Sequence, residues 1–258
     1  MPRVPDTPEA LTDLLWQAGF VAADEEAEEL LAAAGGSRER LDRLVARRLT
    51  GEPLAWVTGS VTFCGLTIGV GPGVYVPRWQ SEALAHRAAA RLPADGVAVD
   101  LCTGAGAIAA VMARARPGAR VLATDVDETA VACARRNGVA ALAGDLFAPL
   151  PDELRGRVDV VVGVVPYVPT PALGLLQRDT LAFESTLSYD GGKDGARLLR
   201  RAVAGAAGWL RPGGALLLEL GGDQATALSG DLATHGFGDV HVLHDEDGDP
   251  RAVEATRS

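Results

Sequence analysis

The chain has 258 residues, 48% hydrophobic and 22% charged, a globular composition with ample apolar side chains for a core that sets disorder aside. Its length exceeds the usual single-domain mode and points to one doubly wound domain with a smaller appendage. Lys and Arg number 24 against 34 Asp and Glu, and the net charge of −10 is the wrong sign for a surface that must neutralise many phosphates, so stable nucleic-acid binding is not expected.

The opening MPRVPDTPEA lacks the apolar run of a secretory leader, and no stretch approaches the roughly 18 apolar residues that span a bilayer. A cytoplasmic protein without membrane association is expected. Residues 7–50 carry helical apolar spacing, with Leu11, Leu14 and Leu15, then Leu30 and Leu31, then Leu41, Leu44, Val45 and Leu49, which predicts three short helices. Gly35 and Gly36 followed by Ser37 read as a helix stop and a new N-cap. WVTGSVTFCGLTIGV at 56–70 places β-branched residues around Cys64 and Gly65 and predicts a hairpin.

From residue 97 short apolar strands alternate with Ala-rich helices, the signature of a parallel sheet in an α/β fold. Strands are predicted at 97–101, 120–124, 139–143, 158–164 and 214–220, followed by an antiparallel edge hairpin around the DG-rich turn near 245–250. Cys64, Cys102 and Cys133 form no CxxC pair, so neither a zinc site nor a disulfide framework is expected. The histidines at 86, 235, 241 and 244 show no ligand spacing, and no metal is expected. Lys193 in GGKDG lacks the rest of a phosphate-loop pattern.

The first of these strands ends in Asp100 and runs through Leu101-Cys102-Thr103-Gly104-Ala105-Gly106 into a helix. A Gly-rich turn at the carboxyl end of a strand is where open α/β sheets bind ligands, and the helix that follows offers free N–H groups and its positive dipole end. The spacing D-x-x-x-G-x-G departs from the dinucleotide fingerprint GxGxxG and suits a methyl donor better. Asp125 closes the second strand where a ribose diol would be gripped, and Asp145 follows the third, placed to face an adenine amino group.

GEPLAWVTG (51–59), FCGL (63–66), PGVYVPRWQSE (72–82), DLCTGAGAIA (100–109), TDVDETAVACARRN (124–137) and GDLF (144–147) stand in order along the chain. YDGGKDG (189–195), LRPGGALLLELGGDQA (210–225) and Arg251 continue the series. On these motifs nearly the whole chain resembles the HemK-like protein-glutamine methyltransferases, which modify the Gly-Gly-Gln loop of translational release factors. The resemblance implies a helical recognition domain over 1–53, a β-hairpin linker over 54–76 and a class I methyltransferase domain with a Rossmann-like, seven-stranded sheet over 77–258.

S-adenosyl-L-methionine is the implied cofactor, leaving as S-adenosyl-L-homocysteine. The resemblance assigns Asp100, Thr103, Gly104 and Gly106 to its methionine end, Asp125 to the ribose and Asp145 to the adenine, with Val126, Leu146 and Ser81 also expected to bind it. Ser81 stands where the family has threonine, in a segment whose Arg78 and Glu82 either anchor the linker or touch substrate.

The family's most diagnostic motif, Asn-Pro-Pro-Tyr, reads Val164-Val165-Pro166-Tyr167 here. An asparagine carbonyl would accept a hydrogen from the target amide and orient a poorly nucleophilic nitrogen, and valine has no such group. Backbone carbonyls of Val164 and Val165 can still receive a donor, and Tyr167 can still wall the pocket. Glu184, in FEST at 183–186, is a candidate base for a different nucleophile, with a structural role as the alternative. The expected function is methyl transfer with an altered pocket and a changed acceptor, on a release-factor-like protein or a small molecule. Unaltered release-factor glutamine methylation, or cofactor binding without catalysis, are the alternatives.

Overall fold

The computed structural model describes residues 4–176 and 182–258. Residues 8–48 form α1 (Pro8–Gln17), α2 (Ala23–Ala34) and α3 (Arg38–Arg48). Gly35 ends α2 in the left-handed region at φ 59°, and Ser37 starts α3 by accepting the N–H of Arg40 at 3.3 Å, as the sequence predicts. The apolar stripes of the three helices, including Leu11, Leu15, Leu30, Leu41 and Val45, close on one another as a buried cluster. Arg48 is drawn into this cluster because Glu26 receives it through two hydrogen bonds, at 2.6 and 2.9 Å.

The segment expected as one hairpin divides in two. Residues 56–58 belong to a short helix, α4 (Leu54–Thr58), which follows Pro53 and ends at Gly59 with φ 94°. The β-branched residues there had suggested a strand, but a proline entry and a left-handed glycine exit enclose a helical turn. The hairpin itself is β1 (Ser60–Phe63) and β2 (Leu66–Gly69), joined through Cys64 and Gly65, both at positive φ.

Helix α4 is the seam between two cores. Val57 packs with the N-terminal helices, whereas Ala55 and Trp56 pack with the hairpin and the sheet. The Trp56 indole N–H donates to the Val74 carbonyl at 2.9 Å. Asn137 holds the hairpin from the other side, accepting from Gly69 N–H and donating to the carbonyls of Gly69 and Ala105.

The remaining chain alternates strands and helices: α5 (Glu82–Arg91), β3 (Val97–Leu101), α6 (Ala107–Ala115), β4 (Arg120–Asp125), α7 (Glu128–Arg136), β5 (Ala140–Ala143) and β6 (Val158–Gly163). It closes with α8 (Arg197–Trp209), β7 (Leu210–Glu219), α9 (Gln224–Thr234), β8 (Phe237–His244) and β9 (Pro250–Arg257). Seven strands make one sheet in the order β5-β4-β3-β6-β7-β9-β8. The first five are parallel, and the β8–β9 hairpin adds antiparallel through β9, which leaves β8 at the edge. Val99, Leu101, Val161 and Leu216 face α8 and α9, while Ala98, Val160, Val162 and Leu217 face α5 and α6. Both faces are covered, as the continuous apolar strands require. No helix among the described residues is long and apolar enough to cross a membrane.

Candidate active site

Connections leave β3 toward β4 and β5 on one side and toward β6 and β7 on the other, so a crevice opens at the carboxyl ends of the central strands. A cavity of about 450 Å³ occupies it, within the usual range for a small-molecule site. Every residue expected from the sequence lines this cavity except Gly106 and Glu184.

Asp100, at 2% exposure, accepts from the Thr103 hydroxyl at 2.6 Å and from Ala109 N–H at 3.2 Å. Burial outweighs these two donors and pushes its carboxyl up to about 7. Asp125 accepts the N–H groups of Gly104 and Asp127, fixing the glycine turn against the end of β4; burial raises its carboxyl too. A carboxylate has about four acceptor positions, so two remain for a diol. Beside it the Thr124 hydroxyl is buried with no partner among the described residues. Asp145 is more open and pairs with Arg201 of α8 at 2.6 Å. Ammonium, ribose hydroxyls and exocyclic amine are all hydrogen donors, so three carboxylates in a row suit S-adenosylmethionine. Cys102 lines the same wall at φ 53°, its thiol held protonated by burial and by the surrounding aspartates.

Gly106 differs from the expectation. It caps α6 at φ 85°, and a Cβ there would lie 2.9 Å from Val139 Cγ2 and 3.0 Å from Ala134 Cβ. The glycine is needed for packing between α6 and α7, and it does not line the cavity. Gly106→Ala should therefore lower stability by about 2 to 3 kcal/mol, from left-handed strain plus overpacking, as a fall in urea midpoint with unchanged slope.

Glu184 is the second difference. Its carboxylate is fully enclosed and committed to Val76 N–H at 2.9 Å, to Arg78 at 2.9 Å and to the Tyr189 hydroxyl. A carboxylate so satisfied, with no face on the cavity, ties the segment before α5 to residues 184–189 and is not placed to act as a base. Arg78 thereby serves as an anchor, and Glu82 anchors the hairpin by accepting Cys64 N–H at 2.9 Å.

Val164, Val165, Pro166 and Tyr167 follow β6 and line the cavity beside the end of β3. Several residues there were not singled out from the sequence. All three tyrosines of the chain, Tyr75, Tyr167 and Tyr189, line the cavity, with Tyr75 and Tyr189 edge to face at 5.6 Å. Burial raises the Tyr75 phenol to about 12. Phe63 of the hairpin reaches the same cavity, so the linker contributes to the site as well as joining two cores. Glu219 closes β7 and accepts from Ser81 Oγ at 2.5 Å and from the Tyr167 hydroxyl at 3.0 Å. Ser81 thus meets Tyr167 through the Glu219 carboxylate. Glu219 carried a readable signal, since it is a strand-end carboxylate like Asp100 and Asp125.

Comparison with known proteins agrees with this architecture. Residues 79–155 match the methyltransferase small domain. A methyltransferase structure from Pyrococcus furiosus superposes with a TM-score of 0.55 at 22% identity, covering 75% of this chain and 90% of that one, which supports the fold. The release factor glutamine methyltransferase of Mycolicibacterium smegmatis is 41% identical over 280 aligned positions, covering 100% of this chain and 99% of its own. That of Geobacter sulfurreducens is 37% identical over 232, covering 88% and 78%. On fold, site and kinship, the chain belongs to the release factor glutamine methyltransferase family and is an S-adenosyl-L-methionine-dependent methyltransferase.

Proposed function

We propose that this enzyme methylates a protein acceptor other than the glutamine of a Gly-Gly-Gln loop. One observation carries the reading: Val164 stands at the end of β6, in the cavity wall, where the family motif places asparagine. A primary amide entering there loses a side-chain acceptor, and a buried N–H without a partner costs about 1 to 3 kcal/mol. A different nitrogen, with fewer hydrogens to satisfy, escapes that penalty. The helices over 1–53 would carry partner recognition, since the cavity-lining residues begin only at the linker. Glutamine methylation of release factors is the second reading, favoured by 41% identity across the whole chain to a relative of that name. The two separate in one assay, incubation with labelled methyl donor and either a purified release factor or a cell extract. Label in extract protein but not on the release-factor glutamine supports the changed acceptor, whereas efficient glutamine labelling sinks it.

In the same reading Asp100 faces the methionine ammonium, Asp125 and Val126 the ribose, and Asp145 and Leu146 the adenine. When bound, the cofactor supplies an electrophilic methyl group on a sulfonium. Asp125→Ala should weaken S-adenosylhomocysteine binding by about 1.5 to 3 kcal/mol through loss of charge-assisted hydrogen bonds. Calorimetry checks this. A native protein that binds NADH more tightly than the methyl donor would overturn the cofactor placement.

A further inference from the structure

Methylating a neutral nitrogen leaves it with a proton to lose, and the cavity has to send that proton somewhere. Asp100, Asp125 and Asp145 are committed to the cofactor in the reading proposed above. Glu184 is saturated by Arg78, Tyr189 and Val76. Histidine is absent from the cavity lining among the described residues. Asp127 and Asp190 also line the cavity, but Asp127 caps α7 by accepting Thr129 N–H and Asp190 is held by the Thr170 hydroxyl and Gly192 N–H. Glu219, at 6% exposure, is buried behind the lining; its hydrogen-bond partners among the described residues are two hydroxyls, with Arg251 acting on it only at longer range. Both hydroxyls, Ser81 and Tyr167, belong to residues that line the cavity.

A buried carboxylate without a cation in contact is costly to hold in its charged form. Here burial raises its proton affinity against the hydrogens donated by Ser81 and Tyr167 and the charge of Arg251, the direction a proton acceptor needs. Tyr167 is fixed for the same purpose. Its carbonyl accepts from the Gln224 side chain at 2.7 Å, so backbone and hydroxyl are both pinned.

We propose that Glu219, reached through the Tyr167 hydroxyl, receives the proton that the acceptor nitrogen gives up on methylation. The nitrogen lone pair forms the N–CH3 bond, and the S–CH3 pair stays on sulfur as the sulfonium becomes a thioether. The nitrogen's proton passes to the Tyr167 oxygen as the tyrosine's own proton passes to Glu219 Oε1. Charge and atoms balance, with Glu219 left neutral. The proposal rests on methyl transfer itself and not on which nitrogen is methylated.

Glu219→Gln keeps the shape and removes the base. With labelled donor and extract protein as acceptor, it should transfer about 10²-fold more slowly at pH 7. Its affinity for S-adenosylhomocysteine should stay within about threefold of native, since the cofactor wall is untouched. Tyr167, relieved of its anionic neighbour, then ionises at lower pH and becomes the base itself, so the variant's rate should climb about tenfold per pH unit on the alkaline side. Adding Tyr167→Phe should abolish the climb, which a merely structural role for Glu219 would not do. Tyrosinate absorbance gives a readout independent of turnover: one phenol should titrate lower in Glu219→Gln than in the native protein, and that transition should vanish in the double variant. Transfer by Glu219→Gln within about threefold of native, or an unshifted titration, overturns the relay. A native protein that binds the donor and labels nothing overturns the methyl-transfer reading and the relay together, so the two failures are distinguishable.

Discussion

Val164→Asn should let this enzyme methylate the glutamine of a release-factor Gly-Gly-Gln loop about 10²-fold faster than the native protein does, the scale of one positioned polar group at a reacting centre. Val164 follows Gly163, where a Cβ would come within 3.1 Å of Leu101 Cβ, so the end of β6 is held tightly against β3 and the next side chain has a defined direction. Asparagine is no larger than valine and restores a carbonyl at that point. Recovery should be incomplete, because Val165, fully buried, stands where the motif has proline and leaves φ free to vary around the pocket. Mass spectrometry of a release factor after incubation with enzyme and methyl donor measures the gain. Equal, low glutamine methylation by both proteins, with cofactor affinity intact, would show that the acceptor is excluded elsewhere.

The strand-end aspartates were legible because sheet order and ligand chemistry coincide. A parallel sheet presents the carboxyl ends of its strands to one crevice, so Asp100, Asp125 and Asp145 could be placed together from the strand pattern alone. The helices over 7–50 were legible for a similar reason, since their apolar spacing is also the spacing of the face they bury. Other features depend on contacts distant in sequence. Nothing local says that Glu184 is wrapped by Val76, Arg78 and Tyr189, whose donors come from up to 108 residues away. The packing need at Gly106 was hidden because a glycine beside a ligand and a glycine beside a crossing helix look alike until Val139 and Ala134 are in place. The helix at 54–58 was hidden by its β-branched residues, whose propensity was overridden by Pro53, Gly59 and the burial of Trp56.

Asp100→Asn should separate stability from binding in opposite directions. The native carboxyl lies near 7 in the folded protein against an ordinary 3.8, because burial disfavours its charge. A folded-state value raised above the unfolded one contributes stability that is fully present below about pH 4 and is lost as pH rises through about 7. Asparagine never charges, so at pH 8 the variant should be more stable than the native protein. The shift alone would be worth about 4 kcal/mol, but a neutral amide oxygen accepts from Thr103 and Ala109 more weakly than the carboxylate oxygen that serves both, and the buried amide nitrogen needs partners of its own, so a net gain of about 2 kcal/mol is expected. At pH 5, where the native carboxyl is protonated, the gain should disappear. Binding should move the other way. Loss of the charge opposite the methionine ammonium should weaken S-adenosylhomocysteine affinity about 100-fold at pH 8. Native affinity should fall about tenfold per unit below pH 7, since binding then requires a proton to leave Asp100, while the variant should be nearly flat. Urea unfolding of the ligand-free proteins and calorimetry at pH 5 and 8 measure both. Equal destabilisation of the variant at the two pH values would mean that Asp100 does not titrate near neutrality, and the assignment of the methionine end to this carboxylate would lose its electrostatic basis.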